Sequence, residues 1–191
     1  TLIDAAGALS AFDTGPGNGL MDAFIQRRRG EAFDENGALA AQGRVHEQAL
    51  SEMLVHPHFE AAGPKSLDRW DFTLDAAANL SDADGAATLA AFTARTAAAG
   101  AVSGAAAPHR IIACGGGRLN AALLAMIEAA AGLPVARAEA VGWRGGLIEA
   151  EAFAYLAART ATGRPITFPG TTGVNSPLTG GRIARARRRA A

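Results

Sequence analysis

The chain predicts a single α/β domain built on a mixed sheet, and three features of its 191 residues carry that prediction. Two short, partly β-branched runs at 1–4 and 8–13 flank Ala5-Ala6-Gly7, the spacing of antiparallel strands joined by a tight turn. An apolar run at 109–114, the turn Gly115-Gly116-Gly117, a helical pattern at 120–131 and a second run at 135–138 follow the order of a parallel crossover unit. Helical periodicity recurs at 20–28, 38–54, 86–98 and 147–159.

Each element has a local reason. Three glycines and a proline in Thr14-Gly15-Pro16-Gly17-Asn18-Gly19 stop the second strand and release the chain into a helix at 20–28. That helix places Leu20, Met21, Phe24 and Ile25 on one face, and Arg27 to Arg29 complement the dipole at its C-terminal end. Phe33-Asp34-Glu35-Asn36-Gly37 reads as a turn before the longer helical pattern at 38–54. Residues 57–72 are irregular and rich in polar and aromatic types, and Asp82-Ala83-Asp84-Gly85 leads into the helix at 86–98. Small residues at 100–108 connect it to the crossover unit, and a Gly- and Pro-rich tail follows the last helix.

Composition excludes several classes. Hydrophobic residues make up 49% and charged residues 19%, which is a globular rather than a disordered composition. Eighteen basic and 18 acidic side chains give no net charge, so the electrostatic case for nucleic acid as main partner is missing. No apolar run approaches the roughly 20 residues that a membrane helix needs, and no secretory signal pattern is present. The single cysteine, Cys114, excludes an internal disulfide or a multi-cysteine zinc site and fits a reducing, cytoplasmic setting. Seventeen of the 18 basic residues are Arg, as a GC-rich genome produces. The start at Thr1-Leu2-Ile3-Asp4 reads as mid-strand, which leads us to expect further residues upstream.

Three segments have residues suited to chemistry. In Phe12-Asp13-Thr14-Gly15-Pro16-Gly17-Asn18 a carboxylate at a strand end stands beside glycines whose N–H groups can approach an anion. Asp13 can act there as a base or help to hold Mg²⁺ near phosphates, or it can simply cap the following helix. No Gly-Lys-Ser/Thr follows, so this is not a Walker A loop. In Cys114-Gly115-Gly116-Gly117-Arg118-Leu119-Asn120 the glycines leave room for a flat ligand or phosphates, with Asn120 offering amide hydrogen bonds; a plain strand-to-helix turn explains the same pattern. Cys114 is expected to pack as a small apolar group. Glu149 shares a helix face with Phe153 and can accept hydrogen bonds from sugar hydroxyls, or it can merely favour the helix dipole. His46, His56, His58 and His109 read as surface loop residues without a metal-ligand set, Lys65 as a solvated charge, and the five arginines within 182–189 as a solvated tail rather than a nucleic-acid arm.

Taken in order, these segments resemble the anhydro-N-acetylmuramic acid kinase family. The matching pieces are Phe12 to Asn18 with Leu20-Met21-Asp22, Phe33-Asp34 with Gly37, and Pro64-Lys65-Ser66 with Arg69 and Phe72. They continue through Cys114-Gly115-Gly116-Gly117 and Asn120, Glu149-Ala150 with Ala152 to Ala157, and Pro169 with Thr172-Gly173. The resemblance implies a ribonuclease H-like mixed sheet flanked by helices, one lobe of the two-lobed fold shared by sugar kinases, actin and heat-shock ATPases. It implies ATP-dependent phosphorylation with hydrolytic ring opening of 1,6-anhydro-N-acetylmuramic acid to N-acetylmuramic acid 6-phosphate, a step of bacterial peptidoglycan recycling. ATP with Mg²⁺, a small-molecule sugar and a second copy of the chain are the implied partners, in the bacterial cytoplasm and without nucleic acid or membrane.

By that resemblance Asp13 activates the water, and Gly15, Gly17 and Asn18 lie by the phosphates. Gly115, Gly116, Gly117 and Asn120 contact the nucleoside, Glu149 holds the sugar, and no residue is assigned directly to metal. Members of the family are roughly twice as long and open with a Gly-rich loop carrying Ser-Gly-Thr-Ser, which nothing here matches. Residues 1–191 are therefore expected to be the C-terminal lobe alone, with the phosphate-loop lobe missing. Arg118-Leu119 and Val135 to Glu139 depart from the family pattern beside the nucleoside loop. The alternative is a non-catalytic nucleotide- or sugar-binding module derived from such a kinase.

Overall fold

The N-terminal hairpin forms as expected but is short. In the computed structural model, which describes residues 1–68, 71–103 and 108–184, β1 (Leu2–Ile3) and β2 (Leu9–Ser10) pair antiparallel, Leu2 opposite Ser10 and Ile3 opposite Leu9. Gly7 takes the positive φ of the turn, and the Asp4 carboxylate accepts hydrogen bonds from the Ala6 and Ala8 N–H groups across it. Beyond Ser10 the chain pairs with loops instead of a strand. The Ala11 N–H donates to the Gly170 carbonyl at 3.0 Å and the Asp13 N–H to the Lys65 carbonyl at 3.0 Å.

Helix α1 (Gly19–Arg29) ends at Gly30, whose φ of 75° closes the last turn. Its basic end is bound: Arg28 donates to Asp82 at 2.8 Å and to the Ala78 and Leu80 carbonyls. The stretch 38–54 is not one helix, contrary to its periodicity. A 3₁₀ turn at Ala40–Gln42 is followed by a break, and α2 (Glu47–Leu54) starts after His46. The cause is tertiary. Gly43 lies so close to the Ala83 carbonyl that an added Cβ would stand 1.9 Å from its oxygen, and its backbone is extended there. The short α3 (Pro57–Glu60) interrupts the irregular segment, with the His56 ring capping it.

The 21-residue α4 (Asp82–Val102) begins four residues earlier than its apolar pattern, because Ser81 caps it by accepting from the Asp84 N–H. Asp82 and Asp84 thus occupy its first turn, where carboxylates complement the dipole. Apolar almost all round, α4 is the centre of the core. Phe92 and Leu89 from α4 pack with Met21, Phe24 and Ile25 of α1 and Leu50 of α2, all at most 2% exposed. Gly85 lets the Phe24 ring lie directly on the helix backbone.

The crossover unit is present. Strands β3 (Ile111–Ala113) and β4 (Val135–Arg137) pair parallel, Ile111 opposite Val135, with α5 (Ala121–Ala131) between them in sequence and packed on α4. Among the described residues no ladder joins this pair to the hairpin, so two two-stranded sheets replace the single mixed sheet expected. The N–H groups by which the hairpin's second strand would extend its pairing are taken by Gly170 and Lys65. The class is mixed α/β with small sheets.

Helix α6 (Ile148–Ala161) has no buried residue, and a one-turn helix, α7 (Pro169–Thr172), lies against β2. No helix among the described residues is long and apolar enough to cross a membrane. Arg69, residues 104–107 of the expected connector and the arginines beyond 184 fall outside the described residues.

Candidate functional site

The segment Asp13 to Asn18 is seated on one stripe of α4. Thr93 Oγ1 donates to the Gly17 carbonyl at 2.7 Å, and an added Cβ on Gly15 would stand 2.2 Å from Thr96 Oγ1. Four residues beyond Thr96, Gly100 leaves room for Thr14, whose methyl would lie 2.1 Å from an added Cβ. The loop therefore needs a glycine at 15 for approach, whereas Gly17 has φ 58° and open space around its Cα. An open backbone of that kind is what a phosphate requires to come close.

Asp13 itself does not cap α1. The residue before that helix is Asn18, and no side chain caps it. The exposed Asp13 carboxylate instead accepts a hydrogen bond from the Leu67 N–H on Oδ2 at 2.9 Å, and no other hydrogen bond reaches its two oxygens among the described residues. Oδ1 is left to solvent or ligand.

The second glycine loop meets the first. Gly115 has φ 70°, and the chain then coils into a 3₁₀ turn at Gly116–Leu119. An added Cβ on Gly117 would stand 2.7 Å from Asn18 Oδ1, so the ends of the two loops touch. Gly115 and Gly116 have open space where a Cβ would be. Asn120 caps α5: its Oδ1 accepts from the Leu123 N–H at 2.8 Å, and the residue is 5% exposed. Its amide oxygen is spent on that cap, and its Nδ2 lies 4.0 Å from Met21 Sδ.

The two glycine loops thus touch through Asn18 and Gly117, and Asp13 opens the first of them. A match to the family described as anhydro-N-acetylmuramic acid kinase extends over residues 1–186. The chain belongs to that family. Proteins named anhydro-N-acetylmuramic acid kinase are similar to it: one from Caulobacter vibrioides is 57% identical over 96% of this chain and 49% of its own length. One from Phenylobacterium zucineum is 48% identical over 97% and 50%, and one from Rhodospirillum rubrum 52% identical over 90% and 46%. The chain spans about half the length of the curated relatives it matches.

Within this member of the kinase family, Arg118 locks the second loop. Its guanidinium donates to the Gly115 carbonyl and to Glu139 Oε1, both at 2.8 Å, and its side chain is only 14% exposed. Arg118 beside it holds the Glu139 carboxyl below its usual range. Cys114 is exposed rather than packed, which corrects the expectation, and partial desolvation with Glu139 nearby pushes its thiol up, away from the reactive thiolate.

Glu149 stands in the first turn of α6 and is exposed, as is Phe153 at 65%. Among the described residues no hydrogen bond or ion pair links Glu149 to Asp13 or to either glycine loop. No group of three His, Cys, Asp or Glu side chains suited to a metal is found among the described residues. Asp13, exposed at the start of the first loop, is a single carboxylate of the kind that suits Mg²⁺, which keeps waters and takes its other ligands from phosphates. A cavity of about 640 Å³ borders the first loop, lined by Phe12, Thr14, Lys65, Thr96 and Gly100, but Asp13 does not line it.

Sequence reasoning missed two residues. His58 is buried, not a surface loop histidine, and its Nε2 lies 2.7 Å from the Asp13 carbonyl. Lys65 is not a solvated charge: its Nζ donates to the His58 carbonyl at 2.6 Å and to the Ala61 carbonyl at 2.9 Å. The family-like triplet Pro64-Lys65-Ser66 was the one signal that pointed towards this segment. His46 and His56 serve as helix caps.

Proposed function

We propose that this chain supplies the catalytic-base and nucleoside-binding half of an ATP-dependent kinase acting on 1,6-anhydro-N-acetylmuramic acid. The product is N-acetylmuramic acid 6-phosphate, formed in the cytoplasm during peptidoglycan recycling. The observation that carries this reading is the meeting of Asn18 with Gly117, which joins the glycine loop that Asp13 opens to the second glycine loop. The names of relatives up to 57% identical support the kinase over a binding module. We take residues 1–191 as the C-terminal lobe, with the phosphate-loop lobe in the other half of the relatives' length. The hairpin and the parallel pair are then parts of a ribonuclease H-like sheet, and the full protein works as a homodimer.

In this mechanism Asp13 accepts a proton from water as the water oxygen bonds to the anomeric carbon. The bond from that carbon to O6 breaks, and O6 takes the γ-phosphoryl group of ATP as the bond from that phosphorus to the β-phosphate oxygen breaks and ADP leaves. Asp13 suits the task because Leu67 fixes one oxygen and leaves the other for the proton. Gly15, Gly17 and Asn18 border the phosphates, and Gly115 to Gly117 border the nucleoside, with Asn120 fixing the start of α5 behind them. Glu149 holds sugar hydroxyls. Mg²⁺ on the phosphates supplies charge neutralisation during transfer.

The test is turnover of ATP with the anhydro sugar, on a chain of the relatives' full length carrying these 191 residues. Asp13→Asn is expected to lower kcat by about 10²- to 10⁴-fold, the usual worth of a general base. Undiminished turnover would remove Asp13 from the mechanism.

A further inference from the structure

Three hydrogen bonds close a ring around Asp13. The Asp13 N–H donates to the Lys65 carbonyl at 3.0 Å. Lys65 Nζ donates to the His58 carbonyl at 2.6 Å, and the His58 ring returns to the Asp13 carbonyl at 2.7 Å. A carbonyl only accepts, so the proton on that ring sits on Nε2. A fourth bond, from the Leu67 N–H to Asp13 Oδ2, ties the carboxylate to the same segment.

The ring is unusual in what it uses. His58 is 9% exposed and makes edge-on contact with Phe59, which places the imidazole in the aromatic cluster of Phe59, Phe72 and Phe92. Lys65 lies with its ammonium 6.0 Å from the centre of the Phe12 ring, next to Asp13 in sequence. Two cation-forming side chains are thus committed to backbone carbonyls rather than to solvent or to a carboxylate. Holding a backbone oxygen needs only a donor, and a buried one of fixed geometry does it best.

We propose that His58 and Lys65 are positioning residues for Asp13, a role that rests on the kinase reading given above. They fix its main chain on both sides of Cα, so that Oδ2 stays on Leu67 and Oδ1 faces the water to be activated. Both act through the Asp13 main chain. A displacement of about 1 Å at a reacting group costs up to about 100-fold in rate. His58→Phe keeps the ring shape and loses the donor, whereas His58→Gln keeps a donor at nearly the same reach.

The experiment compares His58→Phe, His58→Gln and Asp13→Asn in the chain of full length, by steady-state kinetics and by hydrogen exchange at the Leu67 amide. His58→Phe is expected to lower kcat by about 10- to 100-fold with both KM values within about twofold of the parent. Its Leu67 amide should exchange at least about tenfold faster, with His58→Gln restoring both readouts. Lys65→Met should show the same pattern more weakly. Parental kcat and Leu67 protection in His58→Phe would overturn the proposal, and so would a loss that His58→Gln does not restore. If Asp13→Asn keeps its turnover, the kinase role of Asp13 fails by itself. Leu67 exchange then still decides whether the ring holds the carboxylate.

Discussion

The residues around α4 and the residues of α6 read alike in sequence, yet they are packed to opposite extremes. Thirteen of the 21 residues of α4 are buried, whereas α6 buries none and leaves Phe153 and Tyr155 more than 60% exposed. Both segments are rich in Ala with periodic large apolar residues. The difference lies in their neighbours: α4 is enclosed by α1, α2 and α5, and among the described residues nothing comparable surrounds α6. An apolar stripe therefore states what a helix can bury, and only its surroundings decide what it does bury. The distinction matters for function, since Asp13 and the first glycine loop lean on the dense region and Glu149 belongs to the sparse one.

Stability measurements give the largest test of this contrast. Phe92→Ala should cost about 3–5 kcal/mol in urea unfolding, while Phe153→Ala should stay within about 0.5 kcal/mol. Similar losses at both positions would erase the difference. Next in size is Asn120→Ala, expected to cost about 1–2 kcal/mol because it removes the α5 cap and strands the Leu123 N–H in a buried position. Gly117→Ala is expected to cost under about 1 kcal/mol, because the group it displaces is the end of the Asn18 side chain. Its effect should appear in calorimetry as weaker nucleotide binding, and unchanged affinity would separate the two loops functionally.

The smallest effect concerns acid. Glu139 is held below its ordinary value by Arg118, so the contribution of that pair is complete above the unfolded-state value of about 4.3. It is lost as the pH falls through the lower folded-state value. Glu139→Gln should therefore flatten the acid limb of a melting-temperature profile below about pH 4 and leave the neutral region nearly unchanged.

What the sequence disclosed follows from the range of the forces involved. The two glycine loops and the crossover unit were legible because glycine runs, capping residues and apolar periods act over a few residues. The break at Gly43 was not, since it is imposed by the Ala83 carbonyl 40 residues away, on another helix. Nor was the burial of His58, whose partner Asp13 is 45 residues distant. How the two strand pairs join was beyond the sequence for a related reason: pairing partners of a strand edge are long-range, and among the described residues the Ala11 and Asp13 N–H groups go to Gly170 and Lys65. For Asp13, pattern located the residue, but only the fold distinguished an exposed, half-engaged carboxylate from a helix cap.

The supports of the first loop, Thr93, Thr96 and Gly100, follow one another at intervals of three and four along α4. Each residue of a helix turns it by about 100°, so deleting one residue between the Ser81 cap and Thr93 would swing all three supports away together. Removing seven would return them to within about 20° of their bearing. Each residue lost ahead of Thr93 also draws the three supports about 1.5 Å along the axis, so the seat of the loop moves as one piece in bearing and in height.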